Sequence, residues 1–316
     1  MVKMGTISSD YLKTLIESVD RLDVMKKYLE SFYYECKVKN LTLKTVNGYA
    51  ERLGNFYRYI QGEGIPFEKV DKEAVKRYIL SLQGKVSDIT INGRLRVLRL
   101  FWNYLCSEGL WNGSGSPMDG IKLIRCEKKY PQILTLDDME KVLAVPNKRT
   151  FTGYRNYLML LIFWDSMIRL GELITLKVSD VDLKAGMIRV YGKGRKERMI
   201  PLGSKCIKAI HHYLIKFGEG IPGDILICKS DGGMFTNRAI QQILERIGNK
   251  AGVKLNPHKI RHSSGTLWVK RGGSSSILQK LLGHTTQRTT ELYIHLAGAD
   301  TKEWMDRYSP GNLIKV

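Results

Sequence analysis

Residues 258–262 of this chain read His-Lys-Ile-Arg-His, a segment in which four of the five side chains are basic or titratable. Helical spacing places His258, Arg261 and His262 on neighbouring faces of one helix. Histidines four residues apart can bind zinc, but the glutamate of the zinc-protease pattern is absent, and Lys259 and Arg261 add repulsive positive charge. The pattern therefore disfavours a metal site.

Four more segments on either side of this one carry candidate groups. Arg169 stands in Ile-Arg-Leu-Gly-Glu-Leu, where Glu172, three residues on, can hold it in an ion pair. Lys193 stands at the tip of a Gly-Lys-Gly turn, His284 in a Leu-Gly-His helix end, and Tyr293 in Thr-Thr-Glu-Leu-Tyr-Ile-His. Taken singly, these segments favour ordinary structural interpretations: a surface ion pair for Arg169, a solvated turn for Lys193 and a core or interface aromatic for Tyr293.

Together the segments supply two arginines, a lysine, two histidines and a tyrosine, which is the set that metal-free phosphoryl transfer needs. Two guanidinium groups can clamp the nonbridging phosphate oxygens, where charge develops in the transition state. Imidazoles can donate hydrogen bonds or accept the nucleophile's proton, and a lysine can protonate the departing oxygen. A phenol with a pKa of about 10 becomes a nucleophile when cations stabilise its phenolate. We therefore expect no metal or nucleotide cofactor.

The composition indicates a polyanionic partner. The formal net charge is +20 and the pI is about 9.7, an excess that points to nucleic acid or an anionic membrane. The longest apolar run, Tyr157 to Trp164, is far shorter than the roughly 20 residues that span a bilayer. The N-terminus lacks the layout of a signal peptide. Nucleic acid is the predicted partner, with no membrane association.

Cysteine usage predicts a reduced, cytoplasmic chain. The five cysteines are scattered, with no Cys-x-x-Cys pair to suggest a disulfide or zinc framework.

Length and patterning predict two domains. A chain of 316 residues, 43% hydrophobic, can bury two cores. Apolar residues at helical spacing predict an N-terminal helical bundle over 20–111, and Gly, Ser and Pro with a basic run predict a linker over 112–131. A domain over 132–316 is expected to be mostly helical with one β-hairpin, from Met187 to Tyr191 and Arg198 to Pro201. The fold class is thus mainly α with a small β element. Predicted helix N-caps are Thr135, in a capping box, and Ser204, Thr236 and Ser275.

The fourth predicted helix, 87–108, carries two stripes. Ile91 and Trp102 belong to its apolar stripe, and a polar stripe faces away from them. We expect the polar stripe to face DNA, although a merely solvated face is the alternative. With one lysine of the second helix, the DNA-facing candidates are Lys44, Asn92, Arg96, Arg99 and Asn103.

The order of the motifs resembles the tyrosine recombinases, also called phage-type integrases, and most closely the Xer-type members. The resemblance rests on Arg-Leu-x-Glu-Leu, Gly-Lys-Gly, His-x-x-Arg-His, Leu-Gly-His and Thr-Thr-x-x-Tyr-x-His, which span residues 168–295. The N-terminal helices and the Ser-Pro-Met-Asp-Gly-Ile-Lys linker also resemble this family. One departure is visible: Asp-Ser-Met-Ile precedes Arg169 where the family usually has Thr-Gly before one hydrophobic residue. We interpret it as a packing variation.

The resemblance implies a two-domain DNA clamp, in which a SAM-like helical bundle and a catalytic domain hold a duplex that carries a specific recombination site. It also implies a tetramer on two such sites. In that scheme Tyr293 becomes 3′-phosphotyrosyl, Arg169 and Arg261 hold the phosphate, and His258 assists proton transfer. His284 adds a donor and Lys193 protonates the 5′ leaving group.

The expected role is Xer-like resolution of chromosome or plasmid dimers, and the integrase of a virus or mobile element is the alternative. More remote are a type IB topoisomerase, which shares the chemistry, and a DNA-binding protein without catalysis. The C-terminal segment 297–316 carries an apolar helical face, which packs either on its own domain or on a neighbouring subunit.

Overall fold

The computed structural model describes most of the chain and divides it into two compact units, between residues 128 and 129. The described residues are 24–113, 115–127, 132–192, 197–218, 223–283 and Tyr293. The finer limits expected from the sequence, with a linker over 112–131, stay predictions.

The first unit is a bundle of helices whose starts are fixed by local capping. The helices are α1 (Val24–Val38), α2 (Leu43–Gly62), α3 (Lys72–Leu82) and α4 (Asp88–Ser107), with a short 3-10 turn at Phe67–Lys69. The side chains of Thr42, Asp71 and Ser87 each accept a hydrogen bond from a backbone N–H in the first turn of α2, α3 and α4. Such caps satisfy amides that have no partner within the helix.

Aromatic rings fill the core of this first unit. Trp102 of α4 is fully buried, stacks on Phe67 with ring centroids 5.6 Å apart and meets Phe56 edge-on at 5.4 Å. The apolar stripe predicted for α4 is therefore the face that packs into the bundle.

The polar stripe of α4 does not behave as one face, and the expectation for Asn92 is wrong. Asn92 is 4% exposed; its amide donates to the carbonyl of Ile124 and accepts from the N–H of the same residue, both at 2.8 Å. Arg99 is partly buried and donates to the carbonyl of Ile121. The chain after α4 packs along this side of the helix, so only Arg96 and Asn103 of the stripe are exposed, as is Lys44 on α2.

The second unit surrounds a small antiparallel sheet with helices. The helices are α5 (Leu136–Ala144), α6 (Phe151–Ser166), α7 (Leu170–Ile174), α8 (Ser204–Phe217), α9 (Asn237–Ala251), α10 (Pro257–Lys270) and α11 (Ser275–Leu282). Strands β1 (Val181–Asp182), β2 (Met187–Tyr191) and β3 (Glu197–Pro201) lie in that order, with Ile188 opposite Val181 and Ile200. The mainly α fold with a small β element is as predicted.

Helix α6 is the centre of the second unit. It is buried nearly all round and packs in one core with the sheet and with helices α5, α8, α9 and α10. The predicted capping box at Thr135 and the cap at Thr236 are confirmed. Helices α8 and α11 instead begin after Gly203 and Ser274, so the caps predicted at Ser204 and Ser275 are wrong by one residue.

Candidate active site

The chain turns sharply between α6 and Arg169. Met167 ends α6 with φ 52° and ψ 27°, a left-handed conformation that costs a non-glycine residue about 1–2 kcal/mol. Its side chain is buried and its carbonyl accepts a hydrogen bond from Arg261. The methionine that departs from the Thr-Gly pattern therefore has a conformational consequence as well as a packing one, which corrects our interpretation. The turn places Arg169 at the start of α7.

A buried carboxylate holds Arg169. Glu172 is 5% exposed; it accepts the Arg169 backbone N–H at 2.7 Å and Arg169 Nη1 at 3.2 Å. Arg198 of β3 donates to both Glu172 oxygens, at 2.8 and 2.9 Å. Burial alone would raise the pKa of Glu172, but the Arg198 and Arg169 hydrogen bonds outweigh it and the pKa lies below its ordinary value. Glu172 is thus a fixed anion that orients two arginines.

Three arginines converge on the end of α11. Arg198 Nε donates to the Leu281 carbonyl at 3.2 Å, Arg261 Nη2 to that of Leu282 at 2.7 Å, and Arg169 Nη2 to that of Gly283 at 3.0 Å. The last carbonyls of a helix lack partners within it and carry partial negative charge, so they attract cations. Gly283 ends the helix in a left-handed conformation.

Arg261 is the most deeply placed of the three cations. Burial, and secondly the positive charge of Arg169, lower its pKa to about 10. At neutral pH Arg261 therefore remains charged, in a position fixed by the carbonyls of Met167 and Leu282. A buried, pre-oriented guanidinium is suited to stabilise charge that develops on a phosphate.

The ring of Tyr293 lies against α10. Tyr293 is 1% exposed and belongs to a small apolar cluster with Met167 and Val269. A methyl group on Gly265 would come within 2.5 Å of the Tyr293 ring, and the His262 ring centroid is 5.5 Å away. The absence of a side chain at Gly265 therefore makes room for the phenol.

The electrostatics of the phenol are set by opposing effects. Burial raises the pKa of Tyr293, while the charges of Arg261 and Arg169 act to lower it. Burial, followed by the charges of His258 and Arg261, lowers the pKa of His262, so this imidazole is neutral at pH 7. His258 is exposed at the start of α10, with its ring 6.5 Å from that of His262.

The structure brings together four of the six predicted catalytic residues, namely Arg169, His258, Arg261 and Tyr293. Lys193 and His284 lie outside the described residues, and so does the C-terminal segment 297–316. Arg198 is a further residue of the site that was not predicted from the sequence, because its partner Glu172 is 26 residues away. The excess of basic residues after the Gly-Lys-Gly turn was the only signal for it.

Comparison with known proteins decides the family. The Phage integrase family model matches residues 132–299, and the Phage integrase SAM-like domain model matches residues 19–117. The chain belongs to the phage integrase family.

Its curated relatives are tyrosine recombinases. Tyrosine recombinase XerC of Thermodesulfovibrio yellowstonii is 31% identical over 89% of this chain and 94% of its own length. Tyrosine recombinase XerD of Shewanella oneidensis is 29% identical over 86% of this chain and 92% of its own.

Solved structures of family members share the fold. The XerH site-specific recombinase, bound to a palindromic difH substrate after cleavage, superposes with a TM-score of 0.72 at 23% identity, over 96% of this chain and 94% of that one. A lambda integrase dimer bound to a COC′ core site superposes with a TM-score of 0.69 at 17% identity, over 84% of this chain and 76% of that one.

Two features are absent from the described residues. No helix in those ranges is both long and apolar enough to cross a membrane. Across the same part of the chain, no group of three or more His, Cys, Asp or Glu side chains is placed to hold a metal ion.

Proposed function

We propose that this phage integrase family member is a site-specific DNA recombinase whose nucleophile is Tyr293. The observation that carries the proposal is the placement of the Tyr293 ring. It packs against the helix that bears His258, and the charges of Arg261 and Arg169 act on its phenol. Aromatic core residues are common, but a buried phenol beside two arginines that are held by backbone carbonyls has the parts of a phosphoryl-transfer site.

The two arginines have different parts in the proposed reaction. Arg261 is buried and fixed, whereas the Arg169 side chain is 42% exposed and can meet an incoming phosphate. Together they bind the nonbridging oxygens of the scissile phosphate, and Glu172 keeps Arg169 and the neighbouring Arg198 in place. The deep arginine sets the position of the phosphorus, and the exposed one closes on it.

Strand cleavage then exchanges one phosphodiester for another. The Tyr293 oxygen bonds to phosphorus as the bond to the 5′ oxygen breaks, which leaves a 3′-phosphotyrosyl link. His258 assists removal of the phenolic proton, Lys193 gives a proton to the 5′ oxygen, and His284 donates a hydrogen bond to the phosphate. Attack by a 5′-hydroxyl from the partner strand reverses the step. Because the bond energy is stored in the link, no nucleotide is consumed.

The proposed partner is double-stranded DNA with a specific recombination site, bound by a tetramer in the synaptic complex. The net charge of +20 and the DNA-bound states of the XerH and lambda integrase structures support this partner. We assign DNA contacts in the first unit to the exposed Lys44, Arg96 and Asn103, with Arg99 able to contribute the donors that its carbonyl bond leaves over. Similarity to XerC and XerD along most of the chain supports an Xer-like role in the cytoplasm.

Covalent capture on genomic DNA tests this function. The protein is incubated with sheared DNA of its own organism, the reaction is stopped with SDS, and fragments attached to protein are sequenced. We expect one recurrent site, with the link on its 3′ phosphate. A recurrent site at a chromosomal locus supports the Xer-like role, and one at the edge of a mobile element supports an integrase. Adducts scattered without a shared sequence would contradict a recombinase and favour a topoisomerase.

A further inference from the structure

The second unit has a basic cleft at the opposite end of α6 from the candidate active site. The cleft has a volume of about 740 Å³ and is lined by the residues that lead into α6, by the loop around residues 229–235 and by the C-terminal half of α9. Helix α6 has 16 residues and is therefore about 24 Å long. Because Arg169 follows the far end of α6, the cleft is separate from the catalytic groups.

Positive charge dominates this cleft. Arg155, Lys229, Arg246 and Lys250 line it, and no aspartate or glutamate of the described residues does. Asp231 belongs to the same loop but is not part of the lining, and its carboxylate accepts the N–H of Gly233 at 2.8 Å. The charged side chains that the structure describes in the lining are therefore all cations.

Arg155 is a buried cation at the base of this cleft. It is 5% exposed, donates to the Cys228 carbonyl at 3.1 Å and to the Asn156 amide oxygen at 2.9 and 3.3 Å, and lies over the Phe235 ring at 4.8 Å. These bonds use three of the five N–H donors of a guanidinium. Burial lowers the pKa of Arg155, and no ion pair with a carboxylate is found for it among the described residues. A buried cation of this kind is normally paired.

The start of α6 adds to the attraction for an anion. Thr150 caps the helix and its hydroxyl accepts the N–H of Gly153. Thr150, Thr152 and Gly153 all line the cleft. The positive dipole end of this 16-residue helix therefore meets the same space as the four cations.

We propose that this cleft binds a phosphate group, with Arg155 and the first turn of α6 at its base and Lys229, Arg246 and Lys250 around its rim. A phosphate has enough oxygens to accept from several of these donors at once. It can belong to a small phosphorylated molecule, for which a cleft of this volume is of ordinary size, or to the DNA backbone away from the cleaved phosphate. Both sources offer the same chemistry to the site.

Titration calorimetry with inorganic pyrophosphate tests the site, with the full-length protein at low salt. Lys229 and Arg246 are exposed, so a Lys229→Ala/Arg246→Ala double variant removes charge without leaving a buried group unpaired. The control is Lys205→Ala/Lys208→Ala, which removes the same charge from the exposed side of α8. We expect the cleft variant to lose about ten-fold or more in affinity and the control to lose less than about two-fold.

Two results would overturn the proposal: no binding of pyrophosphate by the wild-type protein, or an equal loss in the cleft variant and the control. Duplex binding then identifies the source. If the cleft variant loses duplex affinity and pyrophosphate competes with DNA, the phosphate is that of the DNA backbone. If duplex affinity matches the control, the ligand is a small phosphorylated molecule. The readout is binding, so its failure leaves the recombinase proposal untouched.

Discussion

At the centre of the first unit, Trp102 is enclosed by Phe56, Phe67 and other rings, and the interior is apolar. In the candidate active site of the second unit, the chain instead buries the charged side chains of Glu172 and Arg261. The first interior is stabilised by removal of apolar surface from water, which does not depend on the protonation of any side chain. The second is stabilised by hydrogen bonds that offset the desolvation of charges. The apolar interior holds the helices of the first unit together, and the buried charges of the second unit hold arginines in place at the candidate active site.

The largest expected effects are losses of stability in two single variants that test this difference directly, Glu172→Gln and Trp102→Ala. Removal of one partner of a buried ion pair costs about 3–5 kcal/mol, and a large aromatic cavity costs about as much. The pKa of Glu172 is below its ordinary 4.5 when folded. The stability that the Glu172 carboxylate contributes is therefore fully present above pH 4.5, its unfolded pKa, and is lost as the pH falls through the lower folded pKa.

Urea unfolding at pH 7 and at about pH 4 separates the two variants. The loss in free energy of unfolding caused by Glu172→Gln should be smaller at the lower pH. The loss caused by Trp102→Ala should be the same at both pH values. A Glu172→Gln deficit that is the same at both values would mean that the carboxylate acts as packing only.

A smaller effect is expected from Gly265→Ala, compared with Gly62→Ala in the first unit. The added methyl at Gly265 would meet the Tyr293 ring at 2.5 Å, whereas nothing lies within 4 Å of a methyl at Gly62. Displacement of a reacting group by about 1 Å can cost up to about 100-fold in rate. Formation of the covalent adduct, followed by quenched-flow gel assay, should slow by about 10- to 100-fold for Gly265→Ala and remain at wild-type rate for Gly62→Ala. An unchanged rate for Gly265→Ala would mean that the Tyr293 ring does not pack against Gly265 when it reacts.

The smallest effects distinguish two residues of α4 that share one predicted stripe. Asn92→Ala breaks two hydrogen bonds to Ile124 and should cost about 1–3 kcal/mol of stability with no change in salt dependence. Arg96→Ala should change stability by less than about 0.5 kcal/mol and reduce the slope of log affinity against log salt by about 1. Fluorescence anisotropy with a labelled duplex measures the slope. If Arg96→Ala leaves it unchanged, Arg96 belongs to a merely solvated face.

These residues also show which features of the fold and of the site could be predicted from the sequence. Helices and most caps follow from local spacing, so α4 and the Thr135 capping box could be predicted. The side of α4 that carries Asn92 could not, because the segment that covers it comes 32 residues later. Arg169 and Glu172 lie three residues apart, so their ion pair could be predicted from helical spacing. Arg198 was missed because its bonds to Glu172 and Leu281 depend on how the sheet and α11 meet.

The position of Tyr293 next to Gly265 likewise arises only in three dimensions. Motif order predicted which residue types the site holds. It could not predict that three arginines would meet at the last carbonyls of α11, because that depends on where the helix ends in space.

The central claim is that Tyr293 forms the covalent bond to DNA, and Tyr293→Phe tests it most directly. The substitution removes one oxygen and keeps the ring against Gly265, so the fold and the phosphate contacts of Arg169 and Arg261 should survive. Wild-type and variant proteins are incubated with the site recovered from genomic DNA, and adducts are resolved on an SDS gel. We predict near-equal DNA affinity, an SDS-resistant adduct for wild type and none for Tyr293→Phe. An adduct formed by the variant would contradict the account, since the bond to DNA would then come from another residue.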